Sequence, residues 1–409
     1  MGYCHGARRW GKFFRFPEVD DGGDMKVWLF MRVGYPRRIT GSYLLAGKDY
    51  DRILGKEIYD EVVDFLRGVE SYGFDGIFFP EHHSRAANGL SPSPNLFAAM
   101  AAVLTKDIKI GLMGNCLPLH HPVRLGEELA LLDNLSNGRL VVGMTRGGDF
   151  WAFNIPSAES RERFEEGWEI IRKGWVAEEP FDYHGKYWNL DYVAFLPRPL
   201  QKPIPETWIP SISAESMEWA AKNRICLAAS WSPTDQVSES FEYYRRYAKE
   251  HCGWAPGPEH CVVSRDIYVA ETNAKAREEA EKDLLIGPAE EFGGSPANYG
   301  RSVSDGYFSK QATAFKKTEH IGVMEIKNWT FEQLQQAGIS IVGDPDYVTE
   351  QILRQCRTMG TDKIMMRPVF GRLRLNQAKK SLELMAKEVL PNLNKEKIAI
   401  PAQVSASPL

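Results

Sequence analysis

Apolar residues along the chain fall into short continuous runs, and between the runs they recur at helical spacing. The runs at 25–33, 77–79, 108–112 and 140–144 have strand length. They lack polar alternation, as strands buried from both sides do. The segment 57–72 separates the first two and carries Ile58, Val62, Leu66 and Val69 on one helical face. Residues 94–105 predict a second helix. A third follows the run at 108–112, with leucines at 125, 129, 132 and 135 in one stripe and a stop at Asn137-Gly138. The alternation continues with a helix over 159–176, strands at 208–210, 226–229, 262–269 and 364–366, and helices starting near 213, from 235, over 273–285 and over 373–389. Eight strands alternating with helices predict an α/β fold, a (β/α)8 TIM barrel with insertions. The alternative is an open doubly wound sheet, but no G-x-G-x-x-G follows an early strand to favour it.

Two stretches break the rhythm. Residues 179–206 are rich in Pro, Tyr and Trp and predict an irregular insertion. Residues 287–340 contain the Gly/Ser-rich GGSPANYGRSVSDG and predict a lid over the barrel mouth. Residues 1–24 are basic and aromatic with no sustained apolar core, so they do not read as a signal peptide. They are expected to lie outside the fold, with one barrel domain over 25–393 and a tail over 394–409.

Composition narrows the function classes. A chain of 409 residues can bury a large core. A net charge of −4 gives no general attraction for nucleic acid or an anionic membrane. No apolar run has the length to cross a bilayer. The six cysteines are scattered without a C-x-x-C pair, which points to reduced thiols and a cytoplasmic protein.

In a parallel barrel, chemistry sits at the carboxyl ends of the strands. Glu81-His82-His83 follows Phe78-Phe79-Pro80 at one such end. Neighbouring side chains on a strand point to opposite faces, so His82 and His83 are poorly placed to share one metal ion, and no metal is expected. A rim cluster with satisfied hydrogen bonds is the plainer account of the three residues. Arg146 follows the fourth strand, Arg161 lies at the start of the next helix, and Ser213 and Ser216 open the helix after the fifth. A helix N-terminus beside two arginines suits a phosphate. Capping and surface ion pairs account for the same residues equally well. Gly114, after Leu112-Met113, is consistent with a β-bulge. Trp231, ending the sixth strand, is consistent with a core residue.

The segments PEHH (Pro80 to His83), LPLHHPVRLGEELALLDNLSNGR (Leu117 to Arg139) and GMTRGG (Gly143 to Gly148) resemble the bacterial luciferase-like flavin-dependent monooxygenases. Within that family they are most similar to the luciferase alpha subunit, and the similarity spans about residues 25–393. The resemblance implies a catalytic histidine at His82, with Glu81 beside it in the cofactor site. It implies phosphate-binding arginines at Arg146 and Arg161 and phosphate contacts at Ser213 and Ser216. It implies a cis peptide beneath the flavin ring at Met113–Gly114 and a ring-edge tryptophan at Trp231. Two positions depart from the alpha subunit: Ile212 stands where it has a glutamate, and Thr145 where it has a reactive cysteine. The second departure speaks against light emission but not against a monooxygenase.

The activity so implied uses reduced FMN and O2, through a hydroperoxyflavin, to oxygenate a small organic substrate. The reduced flavin comes from a separate flavin reductase, and the protein is a homodimer or homo-oligomer. The alternatives are a deazaflavin-dependent dehydrogenase of the same superfamily and a non-catalytic flavin-binding subunit. Tyr35, Tyr43, the lid and Pro368-Val369-Phe370 are expected to line the substrate pocket.

Overall fold

Eight parallel strands close on themselves in the computed structural model, which describes residues 23–36, 45–85, 88–148, 150–292 and 323–401. They are β1 (Lys26–Phe30), β2 (Gly76–Phe79), β3 (Lys109–Leu112), β4 (Leu140–Thr145), β5 (Glu206–Pro210), β6 (Cys226–Ala229), β7 (Cys261–Val269) and β8 (Lys363–Arg367). Each pairs in parallel with the next, and β8 pairs with β1. The closed ring has no unpaired edge, and the barrel expected from the alternation is the one formed.

The strands are apolar on both faces because both faces are covered. Val27 and Leu29 face the helical shell, whereas Trp28 belongs to a separate interior core with Phe78, Val141, Trp208, Val262 and Met365. Trp28 stacks on Phe78 with ring centroids 4.5 Å apart and meets Trp208 edge-on at 5.3 Å. This aromatic layer fills the barrel beneath its mouth. It depends on Gly111 in β3, where a Cβ would lie 1.9 Å from the Phe78 ring.

The shell is α1 (Arg52–Gly68), α2 (Pro94–Leu104), α3 (Pro122–Leu135), α4 (Ser160–Val176), α5 (Ala214–Asn223), α6 (Thr234–Tyr247), α7 (Asn273–Phe292), α8 (Pro345–Met359) and α9 (Leu375–Leu384). Helix α1 starts at Asp51, whose carboxylate accepts from the N–H groups of Ile53 and Leu54. Its stripe of Leu54, Ile58, Val62 and Leu66 is buried, as the spacing predicts.

The insertions differ from the sequence reading. Part of 179–206 is an antiparallel hairpin, Phe181–His184 with Asn189–Val193, with a register shift between Phe181 and Tyr183. Its strands are polar and half-exposed, so no apolar run marked them. Within 287–340, α7 runs on to Phe292 and residues 293–322 lie outside the described residues, as does the core of the expected lid. The segment ends in a ninth parallel strand, Ser340–Gly343, which pairs with the far half of β7 from Asp266 to Val269. The near half of β7 pairs with β6 instead. Ser340-Ile341-Val342-Gly343 offers too short an apolar signal to be read as a strand. At the start of the chain, Gly23–Asp24 pairs with Lys397–Ile398, so the boundaries expected at 24 and 394 pass next to or through paired backbone.

Candidate functional site

A cavity of ≈ 330 Å³ opens at the carboxyl ends of the barrel strands. Phe30, Met113, Ile212, Trp231 and Met365 give it apolar walls, and Arg32, Glu81, His82, Ser211 and Ser264 bring polar groups to it. Its position follows from the pleat: in β1, Trp28 points into the barrel, Phe30 lies one step higher, and Arg32 reaches the rim.

Glu81 organises one wall. It is 3% exposed and accepts from the Cys116 N–H at 2.7 Å, His83 Nε2 at 2.9 Å and His120 Nε2 at 2.9 Å. Burial alone would push its carboxyl up; donation by His120, His83 and Cys116 outweighs this and holds it at about 2. Burial likewise pulls His120 down, but the Glu81 carboxylate leaves it above its ordinary value. His83 is further packed edge-on against Phe153, ring centroids 4.8 Å apart. His82 donates its backbone N–H to Ser91 O and lines the cavity. The two adjacent histidines therefore take separate roles. Among the described residues, no group of three or more His, Cys, Asp or Glu is placed to hold a metal.

The adjoining patch, at the end of β3, presents backbone to the cavity. The Met113–Gly114 peptide is cis. A Cβ on Gly114 would lie 2.5 Å from Gly143 O, and one on Gly143 would lie 1.7 Å from Leu112 O. Strands β3 and β4 thus approach too closely for a side chain at either position.

Beside this cavity lies a second pocket of ≈ 40 Å³, lined by Arg146, Arg161 and Ser216. Thr145, Pro210 and Ser211 line both spaces, so the small pocket adjoins the large one. Helix α5 begins at this point with Ser213 as N-cap, whose hydroxyl makes no bond to the helix backbone. Instead Ser213 Oγ donates to Ser216 Oγ at 3.0 Å. Arg161 lies 3.8 Å from both Glu165 and Glu215. Two guanidiniums, two hydroxyls and a helix N-terminus form the donor set that a phosphate monoester needs. Ile212 lines the larger cavity rather than this pocket.

A family model for luciferase-like monooxygenases matches residues 40–363. The chain belongs to the luciferase-like monooxygenase family. It is 24% identical over 355 residues to the oxygenase component of the flavin-dependent trigonelline monooxygenase of Acinetobacter baylyi, covering 85% of this chain and 93% of that protein. It is 30% identical to the alkanal monooxygenase alpha chain of Photorhabdus luminescens over 226 residues, 54% of this chain. Some of these matches are partial: the chain spans 42% to 62% of the length of several curated relatives. Among solved structures it resembles the oxygenating constituent of 3,6-diketocamphane monooxygenase of Pseudomonas putida in complex with FMN. That likeness has a TM-score of 0.67, 25% identity, and covers 93% of this chain and 100% of the other.

In this luciferase-like barrel, the residues singled out from sequence fall into two adjoining groups. Glu81, His82, Met113, Gly114 and Trp231 line the large cavity, and Arg146, Arg161 and Ser216 line the small pocket, with Ser213 bonded to Ser216. Glu81 is directed mainly to holding its neighbours. Three residues expected in the substrate pocket are elsewhere: Tyr35, Val369 and Phe370 pack in the outer core, and the Tyr35 hydroxyl accepts from the Asp51 N–H. Tyr43 lies outside the described residues.

Sequence reasoning missed a further polar group at the mouth. Arg367 ends β8 and pairs with Asp266 of β7 at 2.7 Å, both 1% exposed. Its guanidinium lies over the Trp231 ring, 4.1 Å from the centroid, and Arg32 approaches the same ring at 5.9 Å. The signal was present in β7, where Ser264 and Asp266 alternate with Arg265 and Ile267. Polar residues two apart in a strand buried on both faces mark one face as a site.

Proposed function

We propose that this chain is a monooxygenase that uses reduced FMN and O2 to oxygenate a small organic substrate, the reduced flavin coming from a separate reductase. The observation that carries the reading is the contiguity of the Arg146–Arg161–Ser216 pocket with a cavity floored by the Met113–Gly114 backbone. A phosphate in the first and a planar ring in the second would suit the chemistry of a flavin mononucleotide. When bound, the flavin supplies the oxygen-activating chemistry. The chain binds its phosphate through Arg146, Arg161, Ser213 and Ser216, seats the ring against main chain, and walls it with Trp231. Apolar surfaces from Phe30, Ile212 and Met365 restrict water at the reacting face. His82 lines the cavity and is the group we assign to hold or pass a proton.

Anaerobic titration with reduced FMN tests the reading, with reduced deazaflavin as the competing ligand. Reduced FMN should bind, and Arg161→Ala should weaken it about 10- to 100-fold, the worth of one charge-assisted contact. Tighter binding of the deazaflavin, or an unchanged affinity in Arg161→Ala, would overturn it. On admitting oxygen, His82→Ala should bind reduced FMN as the parent does but alter the pH profile of flavin reoxidation. An identical profile would remove His82 from the mechanism.

We also infer a homodimer. Helix α2 is apolar almost all round, yet Leu96 and Val103 on one face are 69% and 72% exposed, with Leu131 and Leu135 of α3 also exposed. Among the described residues, no helix is long and apolar enough to cross a membrane.

A further inference from the structure

The barrel mouth carries a second polar cluster across from the phosphate pocket. The pocket's residues come from the ends of β4 and β5, while β8 and β1 lie on the opposite side of the ring. There Arg367 is anchored by three contacts: Nε to Asp266, Nη1 to Ser230 Oγ, and its plane over Trp231. Its remaining nitrogen, Nη2, is buried and has no hydrogen-bond partner among the described residues. Ser264 Oγ is in the same condition, and Ser264 lines the cavity two residues before Asp266 on the same side of β7. Arg32 lines the cavity from β1 and faces the same tryptophan.

Two buried donors, Arg367 Nη2 and Ser264 Oγ, and one buried acceptor, Asp266 Oδ2, have no hydrogen-bond partner among the described residues. Arg367 is paired with Asp266 over Trp231, and Arg32 approaches the same ring. Glu81, the other acid of the cavity, is already held by His83, His120 and the Cys116 N–H. A buried guanidinium N–H and a buried hydroxyl left without partners are costly unless an acceptor arrives to meet them. The walls beside them, Phe30, Val262 and Met365, are apolar.

We propose that the substrate carries a carboxylate or similar single oxyanion on an apolar body, with the anion held by Arg367 and Ser264 and drawn in by Arg32. This rests on the flavin reading for the reaction but not for the anion contact itself. The competing occupant is the cofactor's own ring edge, which also offers acceptor oxygens.

Calorimetric titration of the purified full-length protein with benzoate and with its neutral counterpart benzamide separates the cases, each measured with and without saturating FMN. Benzoate should bind the FMN-loaded protein about 10- to 100-fold more tightly than benzamide. Arg367→Met should bring that ratio near one, and Arg367→Lys should restore part of it. Because Arg367→Met also leaves Asp266 without its partner, Ser264→Ala is measured alongside and should lower benzoate affinity severalfold without affecting benzamide. Equal affinities, or no benzoate binding to the FMN-loaded protein, would overturn the proposal while leaving the flavin reading intact. Benzoate that binds only without FMN and is displaced by it would assign the arginines to the cofactor and likewise overturn it. A protein that prefers benzoate but binds no FMN would keep the anion subsite and remove the flavin reading.

Discussion

Replacing Glu81 by glutamine keeps the shape of the side chain and removes its charge. The carboxyl sits at about 2 instead of 4.5, against the penalty of burial. At about 1.4 kcal/mol per pH unit, that difference corresponds to roughly 3 kcal/mol of stabilisation from the contacts it accepts. Because Glu81 is 3% exposed, solvent screening removes little of it. Glutamine can still accept from the Cys116 N–H, so the expected loss at pH 6 is about 2–3 kcal/mol in urea unfolding. The pH dependence is the sharper test. A depressed carboxyl stabilises the fold above pH 4.5, its unfolded value, and the benefit fades as pH falls toward about 2. His120 is raised, so its share is complete below its ordinary 6.5 and is lost as pH climbs through its folded value. The gap between parent and Glu81→Gln should therefore be widest between about pH 4.5 and 6.5 and narrow on both sides. A gap below about 1 kcal/mol at pH 6, or one that is flat with pH, would refute the account of this cluster.

Two further perturbations follow from the packing. Asp266→Ala strips the buried Arg367 of its carboxylate and should cost about 3–5 kcal/mol in urea unfolding; a cost under about 1 kcal/mol would mean that Arg367 finds another partner or water. Leu96→Glu with Val103→Glu places charge on the exposed stripe of α2 and should convert a dimer to a monomer in sedimentation at unchanged thermal stability. A parent that is monomeric at micromolar concentration would remove the dimer inference.

How much of this was legible in the sequence depends on the range of the interaction. The eight barrel strands were read because most are short, largely apolar runs and the helices between them carry their own stripes, such as Ile58, Val62 and Leu66 on α1. The grouping of Arg146, Arg161 and Ser216 in one pocket was legible in part because arginine at a strand end and serine at a helix start have meaning locally. The interior layer was not, since Gly111 reads as a breaker until the Phe78 ring is seen to occupy its Cβ position. Arg367 is the extreme case. In sequence it merely terminates the run Ile364-Met365-Met366, and its partner Asp266 lies 101 positions away. The two meet because the parallel register of β7 and β8 places Asp266 directly opposite Arg367. A one-residue slip would turn one side chain of the pair to the helical shell, where an unpaired charge is costly. The ion pair and the register therefore support each other. The inward face that the register fixes also carries Ser264 to the cavity, which makes the polarity of the mouth a consequence of barrel closure rather than of any local motif.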